Sequence, residues 1–379
     1  MPKKKLIIMA INMNLGGTEK SLINFISDLS PAKYDITLLL LENKGELLSH
    51  VPPYVKIRAI EGYKQIKPYL KSNFKKNSRR LLKVRNMYDL INYFIAYLRK
   101  RVSGKDEIML DFYKSFLEEI DERYDISIAY AGPMDLITYY VAKCINAKRK
   151  YQWIHFDIEK IGFSQSIVKN LYPKFDRVFT VSEEGKQKIQ KAFPELVNKV
   201  GVWKNKTSEN SLLHLSNNRG FEDEFTGIRI LTVGRLSHEK GQHLIFPVLK
   251  RLLENIDLKI KWYLIGDGPE MANYKNTITN LSLNIDVKLL GAKINPYPYM
   301  KECDLYVQPS IYEGCCMTID EAKIFKKRII ATEFNGIKEQ LKEYNYPTSI
   351  IKFSEKELYF ALLEHVNAIN NERRGVSVG

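Results

Sequence analysis

The chain is short of cysteine, of long apolar runs and, in one region, of acid. Its four cysteines, Cys144, Cys303, Cys315 and Cys316, offer no CxxC spacing. No redox pair or zinc-ligand motif is therefore written in the sequence, and a reduced, cytoplasmic chain is the expectation. No stretch reaches the roughly 18 apolar residues of a membrane span, so any membrane association is expected to be peripheral, on the inner face. Lysines ahead of Leu6-Ile-Ile-Met-Ala-Ile11 imitate a secretion signal. The apolar part is too short and lacks a persuasive cleavage site, so it reads as a buried first strand. Repeats and low-complexity tracts are absent. Hydrophobic content of 45% and aromatic content of 11% are those of a globular protein. At 379 residues the chain exceeds what one core usually holds, so two domains are expected.

The scarcity of acid falls between Lys64 and Lys105, where 13 Lys or Arg face the single acid Asp89. That region carries most of the net charge of +15, and the remainder is nearly balanced. Within it, Ser78 to Arg101 reads as one helix rich in Leu, Ile, Tyr and Phe with basic clusters at both ends. Such a composition suits an anionic membrane surface or a lipid-linked acceptor. It also suits a helix whose apolar side packs on the core while its cations are simply solvated. Another polyanion is a third reading; nucleic acid is not expected as a partner.

Short apolar runs alternate with helical patterns along the whole chain, the mark of parallel α/β architecture. Strands are expected at Leu6 to Ile11, Ile36 to Leu41, Val55 to Ile60, Ile126 to Tyr130, Lys150 to His155 and Arg177 to Val181. A second series runs through Ile228 to Val233, Lys261 to Ile265, Val287 to Leu290, Leu305 to Gln308 and Arg328 to Ala331. The fold class is α/β, two doubly wound Rossmann-like domains in tandem. The polar stretch Lys204 to Phe225 is the expected linker. Domains are expected at 1–205, holding the basic region 64–105, and at 206–355, with a C-terminal helix at 356–379 that could return to the first domain.

In such sheets ligands bind beyond the carboxyl ends of strands, and the unusual polar residues gather there. In Pro309-Ser-Ile-Tyr-Glu-Gly-Cys-Cys-Met-Thr-Ile-Asp-Glu-Ala322, Glu313 precedes a helix start and Glu321 lies more than one turn inside it. Free N–H groups and the helix dipole make that start an anion site. Flanking carboxylates can accept hydrogen bonds from sugar hydroxyls, although Glu pairs on helices are more often solvated charges. Arg235 and Lys240 share one strand-to-helix loop, a fork and a point charge suited to a diphosphate, or a solvated basic loop. Gly16-Gly17 allows close backbone approach or merely a tight turn. His155, in Trp153-Ile-His-Phe-Asp157, closes a strand where histidine is more often structural than catalytic.

Taken in order, these segments resemble the retaining glycosyltransferases of family 4, which have the GT-B architecture of two Rossmann-like domains facing a cleft. The resemblance runs through Gly16-Gly17-Thr18-Glu19, Trp153 to Asp157, Asp176 to Ser182, Val233 to Gly241, Gly266-Asp-Gly-Pro269, Asn295 to Tyr299 and Asp304 to Ala322. It implies a nucleotide-diphosphate sugar donor, UDP-sugar among them. Arg235 and Lys240 would hold the diphosphate, Glu321 the ribose, and Glu313 the sugar or the charge at its anomeric carbon. The backbone of Gly314, Cys315, Cys316 and Met317 would receive sugar hydroxyls or phosphate. His155 would lie near the sugar, and Gly16 and Gly17 would line the cleft. Neither metal nor cofactor is expected, because cationic side chains would neutralise the leaving diphosphate. Family members commonly carry a Gly-Phe-Gly-like run after the first Glu; here Gly314 is followed by Cys315-Cys316-Met317. The implied activity is front-face transfer to a glycan or lipid-linked glycan in capsule, teichoic-acid or other surface-polysaccharide synthesis. A catalytically silent GT-B binding or chaperone subunit and a GT-B epimerase are the alternatives.

Overall fold

A computed structural model describes residues 2–70, 72–84, 87–132, 134–156, 158, 164–205 and 209–375. The chain divides into two compact units, residues 1–14 with 18–204 and residues 15–17 with 205–379. Each is a parallel sheet flanked by helices.

In the first unit the strands are β1 (Lys4–Ala10), β2 (Tyr34–Leu40), β3 (Lys56–Ala59), β4 (Tyr124–Gly132), β5 (Ala147–Ile154), β6 (Arg177–Thr180) and β7 (Val200–Val202). Their order is β3-β2-β1-β4-β5-β6-β7, parallel throughout. The central strands read as apolar runs because helices cover both faces. Leu6, Ile7, Ile8 and Met9 of β1 are all at most 2% exposed. The order reverses between β1 and β4, which places the switch point at their carboxyl ends, beside the Asn12 to Gly16 loop.

The second unit repeats the plan with β8 (Ile228–Val233), β9 (Ile260–Ile265), β10 (Val287–Leu289), β11 (Leu305–Gln308), β12 (Arg328–Thr332) and β13 (Thr348–Ile351). Their order is β10-β9-β8-β11-β12-β13, again parallel. Its switch point lies between β8 and β11, so the loops carrying Arg235 and Glu313 leave from neighbouring strands.

Three expectations are corrected. The polar stretch around Lys204 to Phe225 is not a free linker. Its Glu209–Leu215 helix packs on the Tyr297–Glu302 and Met317–Ile324 helices. Leu212 and Phe221 are buried in the second unit's core, and Glu302 accepts the N–H groups of Gly220 and Phe221. Asp223 is held by Arg229 at 2.6 Å and Lys261 at 3.1 Å. The last helix, Glu355–Arg373, is integral to the second unit, packed on the Ile245–Asn255 helix and on β8, β12 and β13. Leu358, Leu362 and Val366, each fully buried, anchor it there. Finally, the single helix expected from Ser78 to Arg101 is two, Phe74–Val84 and Met87–Ser103, with residues 85 and 86 outside the described residues.

Candidate active site

Two glycines shape the loop after β8. Gly266, at φ 152°, lies so close to Gly234 that a Cβ would meet the Gly234 carbonyl oxygen at 1.9 Å. Gly241 has φ 66° and its backbone presses on Pro309, where a Cβ would meet the carbonyl oxygen at 1.9 Å. No other residue fits that close left-handed turn. Ile311 N–H then donates to the Glu239 carbonyl at 2.9 Å, stitching the β8 loop to the β11 loop. Lys240, just before the Gly241 turn, is thereby delivered to Glu313.

The contact is an ion pair with Nζ and Oε1 2.5 Å apart, the side chains 22% and 10% exposed. Burial acts to lower the Lys240 pKa, but Glu313 outweighs it and the ammonium's pKa is raised. The same Glu313 oxygen accepts from Ser310 Oγ at 2.8 Å. Ser310 accepts from Gln308 Nε2 at 2.9 Å, and Gln308 Oε1 accepts from Tyr306 OH at 2.8 Å and Thr318 Oγ1 at 3.2 Å. Tyr306, Gln308 and Ser310 are at most 1% exposed. The carboxylate thus ends a buried chain of hydrogen bonds that fixes its rotamer. Arg235, by contrast, is 64% exposed and donates to Glu239 at 2.9 Å. Ser237 Oγ donates to that same Glu239 oxygen at 2.6 Å. The Arg235 guanidinium is open to an incoming anion.

Glu321 is 1% exposed on the Met317–Ile324 helix, and its Oε1 accepts from Tyr297 OH at 3.2 Å. Burial first, then Glu321, pushes the Tyr297 pKa upward, so the phenol stays a donor. Cys316 is the residue before this helix. Its N–H donates to Gln340 Oε1 at 3.2 Å, and Gln340 Nε2 returns a bond to the Cys316 carbonyl at 3.1 Å. The Cys316 amide expected to receive sugar or phosphate is therefore already engaged. Burial, with Glu313 adding to it, pushes the Cys316 thiol up to about 12, and burial also raises the Cys315 thiol. Neither is a thiolate near neutral pH, so neither has nucleophile character.

In the first unit His155 follows β5 and its N–H donates to the Gly132 carbonyl at 3.0 Å. The ring packs on Tyr130 with centroids 4.5 Å apart, and Nε2 has no hydrogen-bond partner among the described residues. Burial drives its pKa down to about 4, leaving a neutral imidazole. Asp157 lies outside the described residues. Gly17 opens the Gly17–Ser27 helix, Gly16 immediately preceding it.

The structure thus joins Lys240 to Glu313 and places Arg235 on the same loop, while Glu321 is held separately by Tyr297. Gln308, Ser310, Tyr297 and Gln340 were not anticipated. The one signal for them was a polar residue, Gln308, closing an otherwise apolar strand. Among the described residues no three His, Cys, Asp or Glu side chains gather as metal ligands would.

Comparison with known proteins bears on this site. Residues 219–373 match the family model of the glycosyl transferases group 1. An uncharacterised glycosyltransferase of Methanocaldococcus jannaschii is 30% identical over 172 residues, 44% of this chain and 41% of that one, so the chain spans less than half of this relative. The N-acetylgalactosamine-N,N'-diacetylbacillosaminyl-diphospho-undecaprenol 4-alpha-N-acetylgalactosaminyltransferase of Campylobacter jejuni is 22% identical over 87% of this chain and 81% of its own. The amylovoran biosynthesis glycosyltransferase AmsD of Erwinia amylovora is 25% identical over 98% and 92%. Among solved structures, a mutant of S. aureus TarM in complex with UDP and other ligands superposes with a TM-score of 0.66 at 14% identity, covering 96% of this chain and 93% of that one. Anabaena HepE with UDP does so at 0.61 and 18%, covering 98% and 95%. These likenesses fix the fold as GT-B. The match to the glycosyl transferases group 1 model, residues 219–373, spans every donor-loop side chain described above.

Proposed function

We propose that the chain is a retaining, metal-independent glycosyltransferase that moves a sugar from a nucleotide diphosphate, UDP being favoured, to a glycan or lipid-linked glycan. The observation that carries this reading is the Lys240–Glu313 pair beside the open Arg235 guanidinium. A diphosphate would be gripped by the Arg235 fork and the Lys240 point charge. Glu313, released in part from Lys240, would then face positive charge growing at the anomeric carbon. Glu321 would accept from ribose hydroxyls, and neutral His155 would donate to or accept from the sugar. In front-face transfer the acceptor oxygen bonds to the anomeric carbon as the bond to the diphosphate breaks. The acceptor proton passes to the departing phosphate oxygen, so the enzyme's own task is orientation and charge stabilisation.

UDP in solved neighbours of the same fold supports the choice of nucleotide. The diphospho-undecaprenol and amylovoran in two relatives' names support a lipid-linked, surface-polysaccharide acceptor met at the inner face of a membrane. The test is a thermal-shift screen of nucleotide sugars, followed by turnover with and without acceptor. Transfer needs both substrates. Product formed from donor alone without transfer would indicate an epimerase, and stabilisation without turnover a binding subunit. A stabilising nucleotide sugar whose effect survives both Lys240→Ala and Glu313→Ala would overturn the site assignment.

A further inference from the structure

The Met87–Ser103 helix is apolar on two opposite sides, and only one is used by the fold. Tyr93 and Ala96 are buried, and Tyr93 and Tyr97 pack on Phe74 with centroids 5.6 and 4.2 Å apart. On the far side Tyr88, Ile91, Ile95, Leu98 and Val102 recur at spacings of three and four and are 71%, 51%, 47%, 43% and 89% exposed. Met87, 64% exposed, widens the stripe along one edge, and Phe94, 48% exposed, ends that edge where its ring meets Phe74 at 6.1 Å. At about 100° per residue the stripe covers about 120° of the helix. Arg99 and Arg101 fall just outside its two borders, exposed, and neither forms an ion pair among the described residues. Lys75, Lys76 and Arg79 on the neighbouring Phe74–Val84 helix are exposed as well.

We propose that this face of the Met87–Ser103 helix lies in the plane of an anionic lipid bilayer, its apolar stripe sunk among the acyl chains and the bordering arginines on lipid phosphates. The charge decides the occupant. Three-four spacing alone would also suit a second copy of the chain, stripe against stripe. That pairing would bring together two faces each bordered by the exposed Arg99 and Arg101 with Lys75, Lys76 and Arg79 nearby, which repel at close range. An anionic headgroup layer neutralises the same charges, while the stripe gains by leaving water. Among the described residues no helix is long and apolar enough to cross a membrane, so the helix lies on the surface. The inference sharpens the inner-face acceptor reading above and uses none of the donor-site residues.

The test is co-sedimentation of the whole chain with vesicles of phosphatidylcholine alone and with about a third phosphatidylglycerol, near physiological salt. Binding to the anionic vesicles is expected to be at least about tenfold tighter. It should fall about tenfold in Ile91→Ser/Ile95→Ser/Leu98→Ser and again in Arg99→Gln/Arg101→Gln. Circular dichroism and the thermal shift produced by UDP report whether each variant is folded, so a loss of donor binding is read separately. No binding to anionic vesicles overturns the proposal, as do equal binding to neutral ones and binding that survives removal of the stripe. A wild-type dimer that the stripe variant turns into a monomer by light scattering, with vesicle binding unchanged, assigns the face to a second copy instead.

Discussion

Lys240 Nζ lies 2.5 Å from Glu313 Oε1 although 73 residues separate them. Two loops from adjacent strands make the contact, and a glycine at φ 66° sets their approach. The cation proposed for a diphosphate is neutralised here by the carboxylate proposed for a sugar. Lys240 is thereby favoured in its charged form, and both side chains are oriented in a partly buried place where either alone would be costly.

That coupling predicts a thermodynamic cycle. Removing one partner of a fully buried pair costs about 3–5 kcal/mol. With Lys240 22% exposed, solvent screens part of this, and Lys240→Met is expected to cost about 2 kcal/mol. Glu313→Gln should cost somewhat less, since Ser310 can still donate to the amide oxygen. The double variant should be less destabilised than the two losses added, by about 1 kcal/mol. Urea unfolding of the four proteins measures it, and strict additivity would show that the pair contributes nothing.

Behind Glu313, the Tyr306–Gln308–Ser310 chain predicts a positioning role for Gln308. Gln308→Leu keeps the volume but removes one hydrogen bond each from the Tyr306, Ser310 and Thr318 hydroxyls, at about 1–3 kcal/mol of stability. If the chain aims Glu313 at charge that develops only during transfer, kcat should fall about tenfold with KM little changed. Gln308→Glu, able to accept from Tyr306 and Thr318 but not to donate to Ser310, should retain more stability than activity. A rise in KM alone would place Gln308 in ground-state binding.

Most of the sheet framework could be read from the chain, and the part that could not has a physical reason. Strands such as Leu305 to Gln308 were legible because both faces of a parallel sheet are buried and the run is apolar nearly throughout. The short edge strands β7 and β13 were missed, since edge strands need little apolar content. Leu212 and Phe221 hid inside a polar stretch: two anchors suffice to dock a segment whose other residues face water. Arg235, Lys240, Glu313 and Glu321 stood out only as an ordered set of motifs. The Gln308 and Tyr297 partners did not stand out, because a buried polar side chain is identified by what it touches, and that is tertiary information.

Tyr297 donates to the buried Glu321 carboxylate, so Tyr297→Phe removes a bond that favours the charged form. A cost of about 1–3 kcal/mol near neutral pH is expected. If Glu321 holds ribose, the variant should also bind UDP more weakly, about tenfold. Isothermal titration of UDP into both proteins checks this, and unchanged affinity would remove Glu321 from the nucleotide site.

His155 gives the sharpest pH signature. Burial lowers its folded pKa from 6.5 to about 4. Between those values the unfolded chain binds a proton that the folded chain refuses. Stability from this group is therefore complete above about pH 6.5 and is lost as pH falls toward 4, a difference of about 3 kcal/mol. Asp135 acts in the opposite sense: burial, with Asp106 adding to it, pushes its pKa up to about 6. The folded state then keeps a proton that the unfolded state gives up, so its contribution falls as pH rises from about 4 to 6. Bulk acid unfolding mixes the two, and His155→Gln separates them. Wild type should lose about 3 kcal/mol more than the variant between about pH 7.5 and 4. A nucleotide sugar that uses the neutral imidazole should protect wild type and not His155→Gln near neutral pH. Parallel stability curves for the two proteins would mean that the ring is solvated and free to titrate, leaving it no role as a neutral donor or acceptor beside the sugar.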